Sequence, residues 1–154
     1  MPPQKFPYSI ANNCLPHIDD FIENGYTKEE MKMVNETRKI LNKPNLKVTA
    51  TCVRVPVMNS HSESINVELE TPFDLQDLKQ KLALFDGIVL LDEPKLNIYP
   101  LNTFADNKDE VFVGRVRNDE SIENGINMWV VADNIRKGAA SNAVQILERL
   151  INRI

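Results

Sequence analysis

The residue types that could do chemistry are concentrated between Cys52 and Glu63, in the order Cys-Val-Arg-Val-Pro-Val-Met-Asn-Ser-His-Ser-Glu. Arg54 stands between valines, and a guanidinium on a sheet surface offers a planar two-point contact for a carboxylate. His61 follows, and histidine exchanges protons readily near neutral pH. Along an unbroken strand the two side chains would lie on opposite faces, but Pro56 and the polar turn after it break that alternation. The pattern therefore allows both to serve one site.

A simpler structural explanation exists for each of these residues. Arg54 could pair with a carboxylate on the sheet surface, and His61 could be an exposed turn residue. Glu29 and Lys32 are three positions apart at the start of a predicted helix, where such residues are neighbours. A solvated ion pair of this kind contributes a few tenths of a kcal/mol. The residue types alone leave these alternatives open.

Composition excludes several classes of function. The 154 residues correspond to about one domain. Lys and Arg number 18 against 22 Asp and Glu, a net charge of −4, so we expect no nucleic-acid partner. The two cysteines and two histidines show no metal-ligand spacing, so no metal site is predicted. No apolar run is long enough to span a membrane and no signal peptide begins the chain, so we expect a cytoplasmic protein without a membrane partner.

Generic catalytic and nucleotide-binding motifs are missing from the sequence. The five glycines are too far apart to form a dinucleotide-binding or phosphate-binding loop. The sequence also contains no nucleophile elbow, zinc-protease helix or calcium loop. Motif reading by itself predicts no enzyme class.

The elements that must position these side chains alternate irregularly between helix and strand. Thr27 and Glu30 form a capping box, which predicts a helix from about Lys28 to Leu41. Apolar periodicity predicts a second helix that opens at Pro72 and Asp74 and runs from Leu75 to Phe85, closed by Gly87, and a third from about Lys137 to the end. The four prolines among the first twenty residues disfavour regular structure, so this segment is interpreted as an arm or connection that leaves room for a short helical stretch near Ile18 to Ile22.

β-Branched and apolar runs predict the strands. This order of elements favours an α+β fold, with a mixed sheet covered by helices on one face. The predicted strands are Lys47 to Val57, Ile65 to Leu69, Ile88 to Leu91, Val111 to Val116 and Met128 to Ala132.

Three ordered blocks of the sequence resemble the aspartate-semialdehyde dehydrogenases: Ile18 to Leu41, Ala50 to Val57 followed by His61-Ser-Glu, and Ala132 to Ala140. The resemblance covers nearly the whole chain, and only the carboxy-terminal half of those enzymes. It implies that residues 1–154 form one substrate-binding and dimerisation domain of glyceraldehyde-3-phosphate-dehydrogenase-like architecture. The implied sheet is mixed and largely antiparallel, with helices on one face. The amino-terminal NADP-binding domain is expected to be absent from this chain.

The resemblance also implies an activity. Enzymes of this family reduce L-aspartyl-4-phosphate with NADPH to L-aspartate 4-semialdehyde and phosphate, on the route to lysine, threonine and methionine, through an acyl-enzyme on a cysteine. That cysteine belongs to the amino-terminal half, and Cys14 matches a non-catalytic position. We therefore expect this chain alone to be inactive and not to bind NADP firmly. A homodimer is the expected assembly.

Residue roles follow from the same resemblance. Arg54 resembles the arginine that holds the substrate carboxylate, and His61 resembles the acid/base histidine. Glu29 resembles the carboxylate that receives the substrate ammonium, and Lys32 the cation that attracts phosphate. Asn134 resembles the residue that contacts the nicotinamide carboxamide. We expect the first four to converge on one concave surface.

Two alternative functions remain. A related reductase of N-acyl-amino-acid phosphates, such as N-acetyl-glutamyl-phosphate reductase, shares the chemistry, but its acetylated substrate gives it no use for an ammonium-binding carboxylate such as Glu29. The other alternative is a non-catalytic dimerisation module, in which Arg54 and His61 are surface residues.

Overall fold

The structure, a computed structural model, describes residues 5–152. It divides into two compact units, unit 1 from Met1 to Pro56 and unit 2 from Val57 to Ile154. Unit 1 holds Glu29, Lys32 and Arg54, and unit 2 holds the remaining predicted site residues.

Unit 1 is built around one helix, α1 (Lys28–Ile40). The predicted capping box is formed: the Glu30 N–H donates to Thr27 Oγ1, and the Glu30 carboxylate accepts the Thr27 N–H. Basic residues lie in the last turn, where their positive charge interacts favourably with the negative end of the helix dipole. Val34, only 4% exposed, anchors the helix within the unit. The predicted boundaries of this helix are therefore confirmed to within a residue.

The predicted strand from Lys47 to Val57 is wrong. Residues 47–56 have no regular secondary structure apart from one antiparallel bridge between Leu15 and Arg54. β-Branched residues favour extended backbone, but a ladder also needs a partner strand, and Pro56 has no N–H to donate. Here the bridge pairs Arg54 with Leu15 alone.

The short helical stretch allowed for near Ile18 to Ile22 does not form, and the segment is irregular, as expected for an arm or connection. Asp19 adopts a left-handed conformation with φ of 67°, which interrupts helical backbone. Beyond it, the Ile22 N–H donates to the Tyr26 carbonyl at 2.8 Å, and Phe21 forms a bridge with Thr27. The segment is thus a tight turn that leads directly into α1.

Unit 2 contains a four-stranded sheet in the order β1-β4-β3-β2. The strands are β1 (Ser60–Glu68), β2 (Ile88–Leu90), β3 (Val111–Asp119) and β4 (Gly125–Asp133). β1 pairs antiparallel with β4, β3 pairs antiparallel with β4, and β2 pairs parallel with β3. The predicted α+β class and the mixed, largely antiparallel sheet are confirmed.

Strand β1 begins earlier than the sequence predicts. The sequence predicts a polar turn after Pro56 that includes Ser60, His61 and Ser62, but these residues pair with Asp133, Ala132 and Val131 of β4. The chain bends at residues 58–59 instead. The polar residues continue the ladder because Ser60 and Ser62 find hydrogen-bond partners in the segment that follows β2.

Each face of the sheet carries its own apolar cluster. On one face, Val113, Val116 and Ile126 pack beneath helix α2 (Leu75–Leu84), which contributes Leu75, Leu78 and Leu82. On the other, Phe112 and Val131 pack against Ala105 of the short helix α3 (Asn102–Ala105). The alternation of side chains along β4 supplies both clusters. In β3, a register shift between Gly114 and Arg117 allows Val113 and Val116, three residues apart, to join the same cluster.

Helix α4 (Ser141–Ile151) follows a π-helical turn, Arg136–Ala140. The sequence predicts one continuous helix here, and the π turn accounts for its first residues. The predicted apolar stripe is present but exposed: Val144, Leu147 and Leu150 are each more than half accessible. Ile154, which the prediction includes in this stripe, lies outside the described residues. None of the described helices is long and apolar enough to cross a membrane.

Val131 has no exposed surface and joins the cluster beneath α3. We expect Val131→Ala to lower the free energy of unfolding by about 2–3 kcal/mol, because two buried methyl groups are lost and a cavity remains. Urea denaturation of the two chains measures this difference. Leu84→Ala is the control, since Leu84 is 79% exposed at the end of α2 and should change stability little. Equal losses in both variants would contradict this packing.

Candidate functional site

The start of α1 presents the first two predicted site residues. Glu29 and Lys32 lie on one face of the first turn, and Lys32 Nζ is 3.4 Å from Glu29 Oε1. The side chains remain 31% and 53% exposed, respectively. A long, solvated ion pair of this kind holds its members weakly. Both charges are therefore accessible for other partners.

Glu30, beside Glu29, has a supporting role that the sequence only partly predicts. Its buried carboxylate accepts the Thr27 N–H at 2.8 Å and the Cys52 N–H at 2.9 Å. The backbone donors of Thr27 and Cys52 lower the pKa of Glu30 below its ordinary value. The capping box revealed only the local half of this role. The bond to Cys52 ties the first turn of α1 to the segment that contains Arg54.

Arg54 is hydrogen-bonded through its backbone, and its guanidinium contacts an aromatic ring. Its N–H and carbonyl each form a 2.9 Å hydrogen bond with Leu15. Its guanidinium carbon lies 5.0 Å from the centre of the Phe6 ring. Within residues 5–152, no carboxylate forms an ion pair with this guanidinium, so the surface ion pair considered as the simpler alternative is not formed there. The planar donors of a guanidinium suit the two oxygens of a carboxylate.

In unit 2, His61 and Asn134 lie at the same end of the sheet. His61 is exposed in β1 and pairs with Ala132 of β4. Asn134 follows the last residue of β4, and its N–H donates to the Asn59 carbonyl at 3.0 Å. The antiparallel pairing of β1 with β4 places the first residues of one strand beside the last residues of the other. This pairing could not be read from the separation of the two residues in sequence.

Asp133 shapes the turn that carries Asn134. It is 1% exposed, and its carboxylate accepts the N–H groups of Arg136, Asn107 and Ile135, each at 2.8 Å. These backbone donors, first those of Arg136 and Asn107, lower its pKa. The motif Ala132 to Ala140 contained this residue, but its role depends on a loop far away in sequence.

A second carboxylate holds the π turn from the same loop. Arg136 Nε and Nη2 donate to the two oxygens of Asp109 at 2.8 and 2.7 Å. The hydrogen bonds from Arg136 and then from Ser141 hold the pKa of Asp109 well below its usual range. A two-point contact fixes direction as well as distance. The loop before β3 therefore contacts the turn after β4 at two places, through the Asn107 N–H and the Asp109 carboxylate.

The side-chain amide of Asn134 is exposed and offers both a donor and an acceptor, which suits it to contact a carboxamide. Gly138 lies close beside it, since a Cβ there would come within 2.9 Å of Asn134 Oδ1. The glycine thus leaves room for the amide.

Among residues 5–152, no group of three or more His, Cys, Asp and Glu side chains is placed to hold a metal ion.

The structure brings the predicted residues together within each unit. Unit 1 joins Glu29 to Lys32 directly and links α1 to the Arg54 segment through Glu30. Unit 2 places His61 and Asn134 at one sheet end. A surface cleft of about 350 Å³ in unit 1 is lined by Glu30 and Thr51 but not by Glu29, Lys32 or Arg54. Convergence of four residues on one concave surface involves both units and stays a prediction.

The four-stranded mixed sheet with its helices defines an α+β architecture, and comparisons with known proteins give the family of the chain. The family model described as semialdehyde dehydrogenase, dimerisation domain, matches residues 1–137. The chain belongs to this family.

Its relatives are considerably longer. The aspartate-semialdehyde dehydrogenase of Aquifex aeolicus is 56% identical over 148 residues, which are 96% of this chain and 44% of the relative. That of Bacillus subtilis is 49% identical over 144 residues, 93% of this chain and 42% of the relative. The chain thus spans less than half the length of these relatives.

Solved structures agree. The aspartate semialdehyde dehydrogenase II of Vibrio cholerae, solved as a complex with ASA, superposes with a TM-score of 0.89 at 53% identity, covering 96% of this chain and 43% of that one. The enzyme of Candida albicans, solved with NADP, gives a TM-score of 0.72 at 28% identity, covering 94% and 46%.

The Glu30 carboxylate gives a testable pH dependence. Because its pKa is lowered in the folded state, it stabilises the fold above its unfolded-state pKa, and this contribution is lost as the pH falls through the lowered value. We expect Glu30→Gln to lower the urea midpoint at pH 7. The difference from the unchanged chain should shrink as the pH falls below about 5.

Glu36→Gln is the matched control, since Glu36 is an exposed residue of the same helix. It should show little difference from the unchanged chain at either pH. A deficit of Glu30→Gln that is the same at pH 7 and pH 3 would mean that the carboxylate charge does not carry the stabilisation.

Proposed function

We propose that this chain is the substrate-binding and dimerisation part of an aspartate-semialdehyde dehydrogenase. The complete enzyme reduces L-aspartyl-4-phosphate with NADPH to L-aspartate 4-semialdehyde and phosphate, in the biosynthesis of lysine, threonine and methionine. The observation that carries the proposal is the Arg54 guanidinium, which is positioned by its backbone and lacks a carboxylate partner among the described residues. The family and its aspartate-semialdehyde dehydrogenase relatives support it.

The charges of unit 1 match those of the substrate. Arg54 binds the α-carboxylate through a planar two-point contact. Glu29 receives the α-ammonium, and Lys32 attracts the phosphate. The exposed Glu29–Lys32 contact of 3.4 Å is weak enough to separate when a ligand with opposite charges enters. Glu30 keeps Glu29 near the Arg54 segment through the Cys52 N–H.

His61 handles the protons of the reaction. In the complete enzyme a cysteine from the amino-terminal part is the nucleophile, and His61 accepts its thiol proton. The thiolate forms a thioester bond to the substrate acyl carbon as the bond from that carbon to the phosphate oxygen breaks and phosphate leaves. NADPH supplies the hydride when it is bound. The exposure of His61 at a strand end leaves its ring accessible to a group outside this chain.

Asn134 contacts the carboxamide of the nicotinamide. Its backbone is fixed by Asn59, and Gly138 leaves space at its amide. The phosphate-binding loop for NADP belongs to the amino-terminal part of the complete enzyme. We therefore propose that this chain contributes orientation rather than most of the cofactor affinity.

The proposed assembly is a homodimer formed through this part of the enzyme, in the cytoplasm. The description of the family as a dimerisation domain supports the dimer. The sequence carries a net charge of −4, which is compatible with a small-molecule substrate and offers no basic excess for nucleic acid.

Replacing His61 tests the acid/base role. In the complete enzyme, His61→Asn should lower kcat for aspartyl phosphate about 100- to 10,000-fold, because proton transfer loses its positioned base. Ser64→Ala, an exposed position of the same strand, should leave kcat unchanged. The 154-residue chain alone should show no turnover. A loss in His61→Asn of less than about tenfold, or turnover by the chain alone, would contradict the proposed mechanism.

Replacing Glu29 separates the proposal from a reductase of N-acylated substrates. Glu29→Gln should raise the KM for L-aspartyl-4-phosphate about tenfold or more, because the substrate ammonium loses a charge-assisted hydrogen bond. Glu36→Gln should leave this KM unchanged. An N-acetylated substrate analogue should be a poor substrate of the unchanged enzyme. Efficient turnover of the acetylated compound, with no effect of Glu29→Gln, would favour the alternative enzyme.

A further inference from the structure

We propose that Phe6 is a positioning residue for Arg54: its ring holds the guanidinium so that the in-plane donors face the carboxylate of the substrate. This inference rests on the proposed function, in which Arg54 binds that carboxylate. It adds a residue from the amino-terminal arm to the substrate site, and no motif of the sequence points to it.

The first observation is the contact itself. The guanidinium carbon of Arg54 lies 5.0 Å from the centroid of the Phe6 ring, within the range of a cation–π interaction. Phe6 is half-buried, so the contact is not a fully solvated one. Such contacts contribute more when water is partly excluded.

The second observation is how the rest of Arg54 is held. Its N–H and carbonyl are fixed by Leu15, but this bridge leaves the long side chain free to adopt several rotamers. A ring at the far end reduces that freedom before substrate binds. Arginine that is already oriented loses less conformational entropy on binding, which strengthens the interaction with its ligand.

A ring suits this task better than an acidic neighbour. A carboxylate would hold Arg54 through the same hydrogen-bond donors that the substrate needs. An aromatic ring uses the face of the guanidinium and leaves its edge available. Among residues 5–152, no acidic side chain forms an ion pair with Arg54, which agrees with this arrangement.

The chain between Phe6 and Leu15 connects both contacts. It folds back through a turn in which Asn12 adopts a φ of 60°, and Asn13 closes the turn by donating to the Ser9 and Ile10 carbonyls. One short segment therefore meets Arg54 twice, at the backbone through Leu15 and at the guanidinium through Phe6. The segment therefore contacts both the backbone and the guanidinium of Arg54.

The test measures KM and kcat of the complete enzyme for L-aspartyl-4-phosphate. Phe6→Leu keeps an apolar side chain but removes the ring face, and we expect a KM about two- to fivefold higher with unchanged kcat. Phe6→Tyr keeps the face and should restore the original KM. Tyr8→Leu is the control, because Tyr8 is an exposed aromatic residue of the same arm. Phe6→Met provides the same comparison if Phe6→Leu does not fold.

Arg54→Lys shows whether the effect passes through Arg54. By itself it should raise KM about tenfold or more, because the two-point contact is lost. Adding Phe6→Leu to Arg54→Lys should then cause no further increase. A further increase equal to that in the unchanged background, or a KM in Phe6→Tyr as high as in Phe6→Leu, would overturn the positioning role.

The same variants distinguish a failure of the positioning role of Phe6 from a failure of the proposed function. If Arg54→Lys raises KM while Phe6→Leu does not, the positioning role of Phe6 fails and the proposed function stands. If Arg54→Lys leaves KM unchanged, the role of Arg54 in the proposed function fails, and the role of Phe6 fails with it.

Discussion

Hydrogen bonding of buried carboxylates to backbone N–H groups is the interaction on which both units depend. Glu30 accepts from Thr27 and Cys52, and Asp133 accepts from Asn107 and two residues of the turn after β4. The segments they hold are irregular and have no ladder partner for these donors. A buried N–H without an acceptor is costly, so a carboxylate that satisfies several of them both removes that cost and fixes the path of the chain.

In this arrangement, the residues that fix the backbone differ from those proposed to contact substrate or cofactor. The supporting carboxylates are buried, with lowered pKa values, and stay ionised near neutral pH. The side chains proposed to meet substrate or cofactor lie next to them in sequence, Glu29 beside Glu30 and Asn134 beside Asp133, and they are partly or fully exposed. A functional side chain in an irregular segment needs a fixed backbone if it is to keep its direction. The neighbouring buried carboxylate provides it.

Membership in the semialdehyde dehydrogenase dimerisation family gives these details a common purpose. Under the proposed function, unit 1 recognises the charges of an amino-acid phosphate, while unit 2 supplies a proton carrier and an amide. The same proposal assigns the nucleophile and the loop for the cofactor phosphates to another part of the complete enzyme. The chain spans less than half the length of its relatives, which agrees with a division of the proposed reaction between two parts.

The sequence by itself determined the elements whose signals are local. The capping box of α1, the apolar face of α2 and the β-branched run of β3 each depend on neighbours within a few residues, and all three were predicted correctly. Residue type and spacing selected Arg54, His61, Glu29 and Lys32 as candidates, and the resemblance to a family added Asn134 and a role for each, which the structure leaves as proposals. Tertiary structure decided the rest: that residues 47–56 form no strand, that His61 lies within β1, that Glu30 binds the Cys52 N–H, that Asp133 binds the Asn107 N–H, and that Phe6 contacts Arg54. These outcomes depend on partners tens of residues away, and local periodicity contains no information about such contacts.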